Sequence, residues 1–175
     1  HIVFSMPSVG ATENLLMAGV LAEGRTTVQN AAREPEIADL AAFLNRMGGQ
    51  ILGAGSPVIT IDGVAELRAV EHAVIPDRIE VATFLAALGV AGGELTLRRV
   101  RPDHLDLLVE KLGHMGIRIS PEADGLWAMA NGRPRPGDVS TLPYPGLATD
   151  SHHIDRGYED FVARMRSIGA DIEHG

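Results

Sequence analysis

The sequence predicts an α/β fold assembled from a repeated unit of two helices and a sheet. Three observations predict it. A helix that closes on glycine and re-enters a strand occurs three times, as LNRMGGQI (44–51), LGHMGIRI (112–119) and MRSIGADI (165–172). Glycine just past a helix end takes the left-handed conformation that side chains resist, which makes it a stop signal. An Ala- and Gly-rich helix leading into a short strand occurs twice: LMAGVLAEGRTTVQNAA (16–32) aligns with FLAALGVAGGELTLRRV (84–100). Gly24 and Gly93 lie 69 positions apart and Gly48 and Gly116 lie 68 apart, so one residue has been lost between the two points. The third observation is composition. Of 175 residues, 45% are hydrophobic but only 4% aromatic, which dictates a core of Ala, Val, Leu and Ile.

The elements follow in chain order. HIVFSM reads as a strand entered mid-chain, neither a signal peptide nor an initiation sequence, so the chain is expected to be incomplete. The first helix carries Ala11, Ala18, Gly19 and Ala22, and its repeat Ala82, Ala86, Ala87 and Gly89. Apolar residues on nearly every side predict that both are buried. Buried helices under sheets reverse the doubly wound plan, which keeps helices outside. Strands TTVQ and LTLR come next. The second helix is amphipathic, with Ile37, Leu40, Ala41 and Leu44 on one face and Asp39 and Arg46 on another. Strands Gln50–Leu52 and Val58–Asp62 then pair through the turn GAGSP. Pro76-Asp77-Arg78 opens the second copy, and a domain boundary is placed there. Residues 1–75 are part of one domain and 76–175 part of another. After Arg133 a loop, a short strand (Val139–Leu142) and PYPGLATD open a further unit that does not continue.

The bulk numbers exclude several functions. A net charge of −8 argues against a nucleic-acid backbone as partner, although local arginines can still make an anion pocket. Without cysteine there is no disulfide, thiolate metal site or cysteine nucleophile in this chain. No apolar run approaches the roughly 20 residues of a membrane span. These features describe a soluble, cytoplasmic protein. His152 and His153 near Asp155 lack a third suitably spaced ligand, so no metal is expected. GAGS (53–56) lacks the lysine and following helix of a phosphate loop and is a turn.

Two places carry candidate chemistry. Asp150 stands close in sequence to Arg156, itself flanked by Asp155, Tyr158 and Glu159. A carboxylate can take a proton, and a guanidinium grips carboxylate or phosphate in a two-point fashion. From the residues alone, Asp150 reads first as a helix cap and Arg156 first as an interdomain ion-pair partner of Asp155 or Glu159. In PSVGAT (7–12), Ser8, Val9 and Gly10 offer exposed amides at a helix start, where a phosphate can approach; Ser8 as a simple cap and Gly10 as a turn residue remain open. Arg33, Glu34 and Glu36 suit the first turn of the second helix, and Asp77, Arg78 and Glu80 read as a cap and crossover charges.

PSVGAT, NAAREPEI (30–37), PDRIE (76–80), LATD ending at Asp150 and HIDRGYE (153–159), in this order, resemble UDP-N-acetylglucosamine 1-carboxyvinyltransferases. The resemblance covers essentially the whole chain. It implies an inside-out α/β barrel of the enolpyruvyl transferase type: two domains of three repeated units each, with the active site between them. It implies that Ser8, Val9 and Gly10 contact the UDP moiety, that Asp150 is the base for the sugar 3-hydroxyl, and that Arg156 binds phosphoenolpyruvate. The substrates would be UDP-N-acetylglucosamine and phosphoenolpyruvate, with no cofactor, and a monomer is compatible with it. Met6 departs from the pattern, standing where many relatives carry lysine. In the family a long segment separates the TD motif from HIDRGYE, so a break is expected at 150/151. The resemblance also implies a missing N-terminal portion with a Lys–Asn pair and a loop bearing a catalytic Cys or Asp. The 175 residues alone are therefore expected to be inactive.

Overall fold

A computed structural model describes residues 1–138 and Tyr144. Strand β1 (Ile2–Val3) leads into helix α1 (Val9–Gly19), followed by β2 (Arg25–Gln29), α2 (Pro35–Arg46), β3 (Gln50–Leu52) and β4 (Val58–Asp62). The order then repeats: α3 (Arg78–Ala91), β5 (Gly93–Arg98), a 3-10 turn (Pro102–His104), α4 (Asp106–His114), β6 (Arg118–Glu122) and β7 (Gly125–Ala130). The first sheet runs β1-β2-β4-β3 and the second β5-β7-β6. Apart from the parallel β1–β2 pair, every pairing is antiparallel. Removing β1 leaves two identical orders, in which β2, β4 and β3 correspond to β5, β7 and β6. The expected strand pair, Gln50–Leu52 and Val58–Asp62, forms with those bounds.

The stop signals work as the glycine chemistry requires. Gly48 and Gly116, just beyond α2 and α4, have φ of 105° and 96°. The backbone repeats elsewhere too: Asn30 and Arg99, 69 positions apart, both end their strands at φ 56°. Asparagine tolerates that region, whereas arginine carries no compositional hint of it. Pro121 sits in β6, an edge strand of its sheet, where a missing N–H costs little.

Each copy has its own core. Leu16, Val20, Val28, Ile37, Leu44, Ile51, Ile59 and Ile61 fill the first; Val81, Leu85, Leu88, Leu112, Ile117 and Leu126 fill the second. Each such side chain contributes on the order of 1.5–3 kcal/mol when fully buried. The small residues of α1 and α3 let sheet side chains close in. A Cβ at Gly19 would lie 3.0 Å from Ile61 Cδ1, and one at Gly89 would lie 2.9 Å from Ile117 Cδ1.

Helices α1 and α3 pack against their sheets, as their apolar composition predicts. Each buries only one face, α1 through Thr12, Leu16 and Gly19 and α3 through Val81, Leu85, Leu88 and Gly89. Met17 and Leu21 stay exposed beside α1, as do Ile79, Phe84 and Val90 on α3. Within this chain one sheet covers one side of each helix. Both copies lie in one compact unit, His1–Val139.

Candidate functional site

The open end of α1 is built by PSVGAT. Ser8 is the N-cap, extended at φ −139° and ψ 119°, and its hydroxyl accepts from the Ala11 N–H at 3.4 Å. The N–H groups of Val9 and Gly10 have no acceptor within the helix, because no turn precedes them. No acidic side chain lies in this first turn. Partial positive charge from the helix dipole therefore stands uncompensated by the helix itself. Gly10 faces open space: a Cβ there would meet no atom within 4 Å. Anything that docks on these amides can reach the backbone itself.

The turn is held from beneath by a buried hydroxyl. Thr12, 1% exposed, donates to the Ser8 carbonyl at 2.7 Å and accepts the Ala32 N–H at 3.0 Å. The Asn30 side-chain amide donates to the Phe4 carbonyl at 3.0 Å, and the Phe4 N–H donates to the Gln29 carbonyl at 3.1 Å. Sequence reading missed Thr12 and Asn30. Threonine inside a helix gives no sign that its hydroxyl will be buried.

A cleft of 510 Å³ lies between α2 and the Val74–Arg78 segment, with Met17, Leu40 and Phe43 on its apolar wall. A hydrogen-bonded pair and an ion pair rim it. His72 Nε2 lies 3.0 Å from Asp39 Oδ1, both side chains mostly buried, and the His72 ring is 4.9 Å from that of Phe43. The Arg78 guanidinium donates to Glu36 at 3.2 Å. Glu36 was read as a helix-dipole residue and Arg78 as a crossover charge; the structure joins the two. Asp77 caps α3, its Oδ1 accepting the Ile79 N–H at 2.7 Å. Glu34, at the N-cap position of α2, is 6% exposed, and its Oε2 has no hydrogen-bond partner among the described residues. The His72–Asp39 pair spans 33 positions, a distance at which nothing in the sequence couples them.

At the surface, the Arg25 and Arg101 guanidiniums hydrogen-bond Asp62 and Asp103 and hold both carboxyls below the usual carboxylate range. Among the described residues, no three His, Asp or Glu side chains converge as metal ligands, and no helix is long and apolar enough to cross a membrane. Asp150 and Arg156, with His152, His153, Asp155, Tyr158 and Glu159, lie outside the described residues, as do the Val139–Leu142 strand and the third glycine-closed helix. The structure thus places Ser8, Val9 and Gly10 together at one helix end.

Two copies of a helix–strand–helix–strand–strand unit, one with an open helix start, define a stretch of the α/β fold of enolpyruvyl transferases. The crystal structure of the enolpyruvyl transferase NikO from Streptomyces tendae superposes with a TM-score of 0.65 at 29% identity, covering 82% of this chain and 35% of that one. The chain belongs to the EPSP synthase (3-phosphoshikimate 1-carboxyvinyltransferase) family, whose model matches residues 1–153. Its curated relatives bear out the sequence resemblance over 150 residues. UDP-N-acetylglucosamine 1-carboxyvinyltransferase 1 of Symbiobacterium thermophilum is 57% identical over 150 residues, which is 86% of this chain and 34% of the relative. The enzyme of the same name from Staphylococcus aureus (strain N315) is 49% identical over 150 residues, 86% of this chain and 35% of the relative. The chain spans about a third of the length of these relatives.

Proposed function

We propose that this chain is part of a UDP-N-acetylglucosamine 1-carboxyvinyltransferase, hereafter the parent. Its reaction moves the enolpyruvyl group of phosphoenolpyruvate onto the sugar 3-hydroxyl and opens peptidoglycan synthesis in the cytoplasm. The observation that carries this reading is the open start of α1. Val9 and Gly10 present unpaired amides, Gly10 leaves room for a ligand, and no acid competes for the helix end. A diphosphate is the group that such an end receives.

The chemistry balances in two steps. The 3-hydroxyl oxygen attacks C2 of phosphoenolpyruvate while Asp150 takes its proton and a general acid protonates C3, giving a tetrahedral intermediate. Loss of a C3 proton then expels phosphate and restores the double bond. Arg156 holds an anionic end of phosphoenolpyruvate, and a closed cleft strengthens that interaction by excluding water. The general acid comes from a loop outside this chain, and neither metal nor organic cofactor takes part. Residues 1–75 and 76–175 belong to separate domains of the parent, a reading supported by their separate cores. Alignments of 150 residues and a family match ending at 153 support a break near 150/151. By itself the 175-residue chain turns over nothing.

The family's name, 3-phosphoshikimate 1-carboxyvinyltransferase, points to a second acceptor, shikimate 3-phosphate. Phosphate release from phosphoenolpyruvate, measured on the parent with each acceptor, separates the two. The expected result is release with UDP-N-acetylglucosamine alone, reduced at least a hundredfold by Asp150→Asn, the scale of a lost general base. Release with shikimate 3-phosphate, or at an unchanged rate in the variant, overturns the assignment.

A further inference from the structure

We infer that Thr12 is a positioning residue for nucleotide binding, with Asn30 as its partner in the same task. The inference rests on the reading of Val9 and Gly10 as the diphosphate site. Thr12 is one of two buried polar or charged side chains among the described residues. A helical threonine commonly bonds the carbonyl four residues back, and here that carbonyl belongs to Ser8, the residue that begins the open turn. The Ser8 carbonyl also accepts the Thr12 N–H at 3.0 Å, so one residue holds it twice.

The second lone-pair direction of the hydroxyl is used as well. It accepts the Ala32 N–H, which ties the turn to the strand exit at Asn30–Ala32. Ala32 is itself 1% exposed, so its N–H has no water to turn to. Asn30 closes the other side. Its backbone sits at φ 56°, and from there its amide reaches the Phe4 carbonyl, on the segment that feeds Ser8. Segment 4–8 is thus pinned at both ends by residues 30–32.

The consequence for a ligand is angular. Hydrogen bonds weaken steeply once the donor swings away from its acceptor. Two amides that must meet one diphosphate need the first turn of α1 held in a single orientation before the ligand arrives. Valine at 12 keeps the shape of threonine, removes the hydroxyl and leaves the Ala32 N–H without its acceptor. Serine keeps the hydroxyl.

The test is calorimetric binding of UDP-N-acetylglucosamine to the parent and to its Thr12→Val, Thr12→Ser and Asn30→Gly variants, together with kcat at saturating substrates. Glycine suits the left-handed backbone at 30, so Asn30→Gly removes only the side-chain bond. Expected is a Kd raised about tenfold by Thr12→Val, the scale of one hydrogen bond. Asn30→Gly should raise it by a smaller factor, and Thr12→Ser should restore it to within about twofold. Saturated kcat should stay within about twofold throughout, because no reacting atom is touched. A Thr12→Val protein of lower Tm but unchanged Kd overturns the inference, since that is what a purely structural role would give. If Thr12→Val does not fold, Asn30→Gly decides by the same criterion. A parent that fails to bind UDP-N-acetylglucosamine sinks the functional reading, and the inference with it. A parent that binds while its folded variants bind equally well sinks the inference alone.

Discussion

Helices α1 and α3 open equivalent copies of one unit, Val9 and Arg78 lying 69 positions apart, yet the first turn of α1 carries no charged side chain while that of α3 carries Arg78 and Glu80 behind an aspartate cap. At α1 the cap is a neutral hydroxyl at 3.4 Å, no acid follows, and glycine stands in the turn. At α3 the cap is the Asp77 carboxylate at 2.7 Å, with Glu80 in the same turn. Helix α3 supplies negative charge to its own dipole through Asp77 and Glu80, while the first turn of α1 supplies none. Fold repetition therefore does not repeat function. On the proposed reading, a few side chains at one helix end decide which copy takes an anion.

The largest expected effect tests the repeat itself. Gly125 begins β7 at φ 151°, and a Cβ there would overlap the Leu97 carbonyl of the paired strand. Gly125→Ala should destabilise the second sheet by about 3 kcal/mol or more, seen as a lower denaturation midpoint. Its counterpart position beside β2 is Val58, where a side chain is already accommodated. Next comes Gly10→Val. No protein atom obstructs it, so the fold should survive with an unchanged midpoint to within about 1 kcal/mol. UDP-N-acetylglucosamine binding should fall at least about tenfold, by filling the space in front of the amides. The smallest effects separate the two caps. Asp77→Ala should cost about 1 kcal/mol of stability, and Ser8→Ala about half of that, because its cap bond is long. A larger loss from Ser8→Ala would reverse the comparison.

Much of the fold was legible in the sequence because the signals are local. Gly48 and Gly116 mark helix ends through their own conformational freedom, and alternation in Val58–Asp62 marks a strand through its own side chains. That α1 and α3 pack against the sheets was legible, but which face does so was not. Ala and Gly in α1 and α3 report close packing on one side, at Ile61 and Ile117, and are silent about the side carrying Met17 or Phe84. Arg99 could not be foreseen at positive φ, since only its partner Asp124, reached through a backbone bond of 2.7 Å, explains it.

The candidate site divides in the same way. Ser8, Val9 and Gly10 are contiguous, and their chemistry follows from standing at a helix start. Thr12 with Ala32, Asn30 with Phe4, and His72 with Asp39 are joined only by the fold, across separations of 20, 26 and 33 positions. Asp150 and Arg156 were read as near neighbours in number whose meeting depends on the rest of the barrel, and they lie outside the described residues.

Amide chemical shifts of the 15N-labelled chain, followed during titration with UDP-N-acetylglucosamine, test the contrast between the two helix ends most directly. The account predicts that Val9 and Gly10 shift with saturation while Ile79 and Glu80, behind the Asp77 cap, stay in place. Equal shifts at both ends, or shifts at α3 without any at α1, would contradict it.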